Sequence, residues 1–250
     1  MEIISVNIQK GGSGKTTTVQ ALAELLSKVH KKRVLCIDAD PQCDLSTVSG
    51  IDIDNAPEHN LFTLLSKEHT LEECIYHSKY YDIVPGSYAL VSASTDFNCD
   101  RKEYFLKDQI ATADYDYILI DTPPALGILN IMSLTASTQV IIPSECSYLS
   151  MLGINKLYET IETVKRYSNK NLRIAGVLAI KYNARTNINV TIASGLQQMA
   201  DLMHTKVFDS KIRETVKIKE AQSQQCPLID WAPRCSAISD YKKFVKELIS

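Results

Sequence analysis

The stretch Ile3-Ile4-Ser5-Val6-Asn7-Ile8-Gln9-Lys10-Gly11-Gly12-Ser13-Gly14-Lys15-Thr16-Thr17 decides how this chain reads. Its opening run, Ile3 to Ile8, is rich in β-branched residues, the pattern of a buried strand. A glycine cluster follows. From Thr16 to Val29, the apolar residues Val19, Leu22, Ala23, Leu25 and Leu26 then fall on one helical face. Strand, glycine-rich turn and helix in that order make a cradle for phosphate. The glycines let backbone N–H groups turn inward, and the helix start adds the positive end of its dipole. Lys15 would reach the β- and γ-phosphates of a nucleotide, and the Thr16 hydroxyl would ligate magnesium. The loop departs from GxxxxGK[ST] at its first glycine, where Gln9 stands, and carries a lysine, Lys10, ahead of two glycines instead. A glycine-rich turn with chance lysines would not require a strand before it and a helix after it.

Outward from this stretch the alternation continues. Arg33 to Asp38 (RVLCID), Tyr117 to Asp121 (YILID), Gln139 to Pro143 (QVIIP) and Ile174 to Ile180 (IAGVLAI) read as further strands. Segments at about 149–168 and 187–203 carry helical spacing. Strands alternating with helices predict an α/β fold, a mostly parallel twisted sheet flanked by helices, of the P-loop NTPase type. With no repeat, low-complexity tract or Pro/Gly-rich linker, residues 1–250 read as a single domain. Residues 50–105 are the least regular and yield no assignment.

The 250 residues carry 27 Lys+Arg against 29 Asp+Glu, a net charge of −2, with 45% hydrophobic and 22% charged residues. This balance excludes disordered, collagen-like and coiled-coil classes. A chain of this length buries enough surface to need no disulfide or metal staple. The near-neutral charge also argues against a protein that coats nucleic acid at all times, so any DNA contact must come from a local patch. The cysteines, Cys36, Cys43, Cys74, Cys99, Cys146, Cys226 and Cys235, are odd in number, scattered and without a CxxC pair. They suit neither a disulfide framework nor zinc. No apolar run approaches the roughly 20 residues that span a bilayer, and MEIISVNI offers no signal-peptide n-region. A cytoplasmic location is expected.

The string Lys10-Gly11-Gly12-Ser13-Gly14-Lys15-Thr16 resembles the deviant Walker A motif of the ParA/MinD/Soj group of P-loop ATPases. That resemblance implies ATP and magnesium as cofactors. It also implies a nucleotide-dependent homodimer that sandwiches two ATP molecules, with Lys10 contacting nucleotide across the interface. Lys10, Gly11, Gly12, Ser13, Gly14, Lys15, Thr16 and Thr17 are the expected cofactor contacts. Asp38-Ala39-Asp40-Pro41-Gln42 lies at the C-terminal end of the second strand, where an open parallel sheet presents ligands. A carboxylate there could orient a water or hold the magnesium hydration shell. The string resembles the family's DxDPQ switch, which implies that Asp40 positions the attacking water and Asp38 supports the metal site. The family usually continues Gly-Asn, whereas this chain has Cys43-Asp44. A cysteine replaces that glycine without strain only if the backbone needs no positive φ there. Asp121, at the tip of an apolar strand, is the candidate metal ligand opposite Thr16. Asp121-Thr122-Pro123-Pro124 resembles the family's Walker B and second switch, with Ala125 in place of serine.

In the second half, Lys181-Tyr182-Asn183-Ala184-Arg185-Thr186-Asn187 is similar to the family's YDARTN segment, with Asn183 replacing aspartate. This makes Arg185 a candidate DNA contact. Lys206 to Lys219 holds five basic side chains against two acidic ones, a patch able to follow phosphates or simply a solvated face. By resemblance, Lys217 and Lys219 are the best DNA candidates there, and Pro233 falls in the loop that packs near adenine. Asn169-Lys170-Asn171-Leu172 lacks the aspartate of a guanine-reading NKxD. Ile238 to Ile249 has helical apolar spacing, read as a terminal helix packed on the sheet, with a membrane-binding tail as the alternative. The five histidines form no i,i+4 pair and are assigned no chemistry.

The resemblance implies a DNA-segregation switch. It would dimerise with ATP and magnesium, bind double-stranded DNA nonspecifically, and hydrolyse ATP slowly under stimulation by a ParB-like centromere-binding partner. The protein would then be cytoplasmic and nucleoid-associated, with no membrane contact. The short lead before the loop predicts no N-terminal helix-turn-helix, and hence no specific operator binding. The alternatives are a MinD-like membrane-associated positioning ATPase, and an iron–sulfur reductase on the same fold. The reductase would need a cysteine where Thr122 to Ala125 stand.

Overall fold

The structure, a computed structural model, describes residues 1–55, 57–145, 147–182 and 188–250, with the backbone alone at 148, 149 and 188–194. Strands β1 (Glu2–Val6), β2 (Val34–Asp38), β3 (Tyr76–His77), β4 (Asp82–Val84), β5 (Tyr117–Asp121), β6 (Gln139–Glu145), β7 (Arg173–Tyr182) and β8 (Val207–Arg213) form one sheet. Its order is β3-β4-β2-β5-β1-β6-β7-β8, and the pairing is parallel except between β3 and β4. The helices are α1 (Lys15–Lys28), α2 (Asp44–Val48), α3 (Leu61–Leu65), α4 (Ala93–Asp96), α5 (Phe105–Gln109), α6 (Ile128–Ala136), α7 (Tyr148–Tyr167), α8 (Ile188–Leu202), α9 (Val216–Ser223), α10 (Leu228–Trp231) and α11 (Ser236–Ile249).

The expected mostly parallel sheet flanked by helices is present, and its strand sequences explain why. Ile4, Val6, Cys36, Leu119 and Ile141 bury on one face, under α1, α9, α10 and α11. Their neighbours Ile3, Leu35, Ile37, Ile118 and Ile120 bury on the other, under α3 to α6. Val140 and Ile142 pack there too, under α7 and α8. A parallel sheet covered on both faces needs apolar residues at consecutive positions, hence the unbroken runs. β1 lies between β5 and β6, where the strand order reverses direction, and such a switch point opens a crevice at the strand C-termini.

β3, β4 and β8 have no counterpart among the strands read from the sequence. β3 and β4 span two and three residues, too short to show a period. β8 falls in the stretch whose sequence reads as basic. Phe208 and Ile212 turn into the core while Lys211 and Arg213 stay outside, the charged dress of an edge strand. α11 matches the packed terminal helix. Ile238, Tyr241, Phe244 and Val245 are buried, against α1 and β8, and the Tyr241 hydroxyl lies 3.2 Å from Thr18 Oγ1. Among the described residues no helix is long and apolar enough to cross a membrane.

α1 carries one buried acid, Glu24. Its carboxylate accepts the backbone N–H groups of Leu228 and Ile229 at 3.1 and 3.0 Å, so it serves the unpaired donors at the start of α10. Burial outweighs those bonds and pushes the carboxyl up to about 7. A raised carboxyl favours folding when protonated. Its stabilisation is therefore full below the unfolded value near 4.5 and is lost as pH rises through about 7. The wild-type minus Glu24→Gln difference in urea-unfolding free energy is expected to fall by up to about 3 kcal/mol between pH 4.5 and 7.5. A difference that stays flat with pH would refute this assignment.

Candidate functional site

β1 delivers the phosphate loop to the crevice and α1 leaves from it. Gly12 and Gly14 hold φ of 66° and 70°, the left-handed region that glycine enters without steric cost. At Gly14 a Cβ would also lie 2.8 Å from Ile180 Cδ1, so a side chain there would add crowding to backbone strain. At Gly11 and Gly12 a Cβ would meet nothing within 4 Å, which leaves their backbone facing open space. Within the loop, Ser13 Oγ donates to the Lys10 carbonyl at 2.8 Å and Lys15 Nζ donates to the same oxygen at 3.4 Å. The result is a cradle at the positive end of α1, opening into a cavity of about 530 Å³. Gly11 to Thr17 line this cavity together with Asp40, Lys181, Arg213, Lys219 and Gln222.

Three carboxylates converge on the cradle from the tips of β2 and β5. Asp121 is fully buried, and its Oδ2 accepts the Thr16 hydroxyl at 2.6 Å. Its Oδ1 has no partner. Burial, then repulsion from Asp38, raise its pKa well above the carboxylate range. An orphaned buried oxygen beside a threonine hydroxyl fits a hard divalent cation that takes oxygen ligands. Asp38 is equally buried but its oxygens are committed. Ser46 N–H and Oγ–H donate to Oδ2 at 2.8 and 2.6 Å, and Asp40 N–H donates to Oδ1 at 3.2 Å. Burial pushes this carboxyl up to about 7. Asp38 thus fastens the loop that carries Asp40. Asp40 is 7% exposed, accepts Gln42 N–H on Oδ1 at 3.0 Å, and reaches the cavity. Its pKa is raised by burial, while that of Lys15 is lowered by burial against the pull of Asp121 and Asp40.

Cys43 adopts φ 56° and ψ 30°, so the backbone does require the left-handed conformation that glycine supplies elsewhere. Cys43 N–H donates to the Asp40 carbonyl at 2.9 Å, closing the turn that starts α2. An L-residue held there costs about 1–2 kcal/mol.

Of the other expected site residues, Lys10 does not line the cavity of its own chain. Its ammonium pairs with Glu145 and donates to Ser150 Oγ at 3.3 Å. Arg185 lies outside the described residues. Pro233 lies outside this cavity, in a separate depression with Lys217, Glu220, Trp231 and Arg234. The basic surplus read from Lys206 to Lys219 is smaller in the fold. Arg213 pairs with Asp240 at 2.7 Å, Lys206 with Glu247 at 3.8 Å and Lys217 with Glu220 at 2.7 Å, all acids beyond the segment. Lys219 faces the cavity.

Sequence reading missed Ser46, Asn130, Glu145 and Lys181. Asn130 donates to the Pro123 carbonyl at 3.1 Å and accepts from Asn7, tying the segment after Asp121 to β1. His59 and His69 do meet, with ring centroids 4.1 Å apart and planes 15° apart, beside Glu58. In-plane lone pairs of parallel rings run alongside each other instead of converging, so this trio is no ready metal site.

The family described as an AAA domain matches residues 1–174. The sporulation initiation inhibitor protein Soj of Bacillus subtilis is 33% identical, covering 99% of this chain and 98% of its own. The chain belongs to the ParA/Soj family of P-loop ATPases. The chromosome partitioning protein ParA of Myxococcus xanthus is 31% identical over 99% of this chain and 87% of its own. A solved structure of cobyrinic acid a,c-diamide synthase from Mycobacterium smegmatis, with bound ATP analogue and magnesium, superposes with a TM-score of 0.86. It is 27% identical, covering 100% of this chain and 94% of that one. The ParA/Soj fold thus places the crevice, the cradle and the strand-tip carboxylates together.

The strained turn yields a test. Cys43→Gly and Cys43→Ala both lose the buried sulfur, but only glycine relieves the backbone. Cys43→Gly is expected to unfold at higher urea, with a stability gain over Cys43→Ala of about 1 kcal/mol. Equal stabilities would mean that the turn is unstrained.

Proposed function

We propose that this ParA/Soj-family chain is an ATP- and magnesium-dependent DNA-segregation switch. Its ATP-bound dimer would grip double-stranded DNA nonspecifically and let go after hydrolysis stimulated by a ParB-like partner. The observation that carries the reading is the placement of two lysines on one phosphate loop. Lys15 is buried at the cradle, whereas Lys10 is half-buried outside its own chain's cavity. A lysine held at the rim is available to a nucleotide bound by a second copy.

The chemistry asks little of covalent catalysis and much of placement. Thr16 Oγ and the unpartnered Oδ1 of Asp121 would hold magnesium, with Asp38 bracing the loop beside them. Bound there, the ion would neutralise charge developing on the phosphate oxygens. Lys15 offers its ammonium to the same oxygens, and the N–H groups of Gly11 to Thr16 surround them. Asp40 orients a water through the oxygen that Gln42 does not use. Its raised pKa means that this acceptor is lost as pH falls through the carboxyl's titration.

DNA contact would come from the surface that pairing assembles, with Arg185, Lys217 and Lys219 as candidates. Lys217 is held only by an exposed ion pair, worth little in water and easily exchanged for phosphate. The membrane-positioning alternative would need the apolar face of α11, which is already packed against α1 and β8. A cytoplasmic, nucleoid-associated location follows from this reading.

DNA binding should be measured with ATP, with ADP and without nucleotide at two salt concentrations. Binding with ATP alone, weakening steeply with salt, is expected. Binding that ignores nucleotide would overturn the proposal. Lys15→Ala is expected to lose nucleotide binding by at least about a hundredfold. Asp40→Ala should still dimerise with ATP while turnover drops by about a hundredfold or more. Normal turnover in Asp40→Ala would remove Asp40 from its role.

A further inference from the structure

Glu145, the last residue of β6, holds two lysines at once. Its Oε2 receives Lys10 Nζ, and its Oε1 receives Lys181 Nζ at 2.6 Å. Lys181 Nζ also donates to the Gly12 carbonyl of the phosphate loop at 2.8 Å. The carboxyl is half-buried, which alone would favour protonation. Hydrogen bonds from Lys10 and Lys181 more than offset that and hold it below the usual range. Lys10 and Glu145 stand 135 positions apart, and the three side chains meet because β1, β6 and β7 are sheet neighbours ending at the same crevice.

We propose that Glu145 is the holding site for Lys10 in the single chain, and that Lys181 is a positioning residue that makes release cheap. The inference rests on the pairing reading above, in which Lys10 serves a second subunit. When Lys10 leaves Glu145 for a nucleotide across the interface, a half-buried carboxylate would be left unpaired, which is costly. Lys181 removes that cost by staying. It keeps Glu145 neutralised and keeps the Gly12 carbonyl bonded. Two lysines sharing one carboxylate therefore form an exchangeable contact in which either departure leaves an ion pair behind.

The two variants are predicted to act in opposite directions. Glu145→Gln frees Lys10 and should lower the protein concentration at half-dimer. Lys181→Met leaves Glu145 with Lys10 alone and should raise it. Each shift is expected to be about tenfold, the scale of one charge-assisted hydrogen bond. Because Lys181 acts through Glu145, the double variant should behave like Glu145→Gln. The measurement is sedimentation equilibrium of the full chain with a non-hydrolysable ATP analogue and magnesium, beside ADP affinity of the monomer, which for Glu145→Gln is expected within about twofold of wild type. Ser150→Ala, which removes a weaker contact to Lys10, should shift dimerisation the same way as Glu145→Gln but less, and serves if that variant folds poorly. Wild type that stays monomeric with the analogue overturns the pairing reading and this inference with it. Wild type that dimerises while both single variants weaken pairing, or while Lys181→Met acts equally in both backgrounds, overturns this inference alone.

Discussion

Removing three carboxylates and one ammonium from water at the ends of two adjacent strands is the constraint on which the rest of this molecule depends. Asp38, Asp40 and Asp121 are buried together with Lys15 as the buried cation beside them, and all three acids are pushed up as a result. Such a cluster is short of positive charge. Its internal bonds reduce the deficit: Ser46 on Asp38, Gln42 N–H on Asp40, Thr16 on Asp121. What they leave over includes the buried, unpartnered Oδ1 of Asp121, next to the Thr16 that opens α1. The site is therefore designed around what it binds, and its own stability is highest where its acids can keep protons.

The parts legible in the sequence are those where the backbone dictates the residue. Gly12 and Gly14 adopt the φ that glycine reaches without cost, and an apolar run ending in aspartate announces a buried strand with a polar tip. The parts that were not legible depend on partners far away in the chain. Glu145 finds Lys10, and Asn130 finds Asn7, across more than a hundred positions, through a strand order that no local pattern reveals. Ser46 is nearer to Asp38, yet nothing distinguishes it from the serines around it until the left-handed turn at Cys43 swings α2 back over β2. The same turn answers a condition the sequence left open: Cys43 stands in the left-handed conformation that a glycine would occupy without strain.

Charge read along the chain misled in a related way. Lys206 to Lys219 carries a surplus of basic residues, but β8 and α11 bring Asp240 and Glu247 against it. The bidentate hold of Asp240 on Arg213 belongs to the packing of α11 more than to any external phosphate. Under the proposed function, a patch for DNA on this near-neutral chain would have to be assembled from side chains that are only weakly engaged. That suits a grip which has to be released.

The Glu24 bond to α10 has a practical consequence at the far end of α1. α10 ends in Trp231, the chain's single tryptophan, 43% exposed, whose indole N–H donates to Glu220 of α9 at 3.2 Å. α9 also supplies Lys219 and Gln222 to the cavity wall. The lone indole is thus wired to the cradle by two routes, along the shaft of α1 and through the turn of α9. The molecule's one indole therefore sits outside the crevice, yet one helix away from its wall.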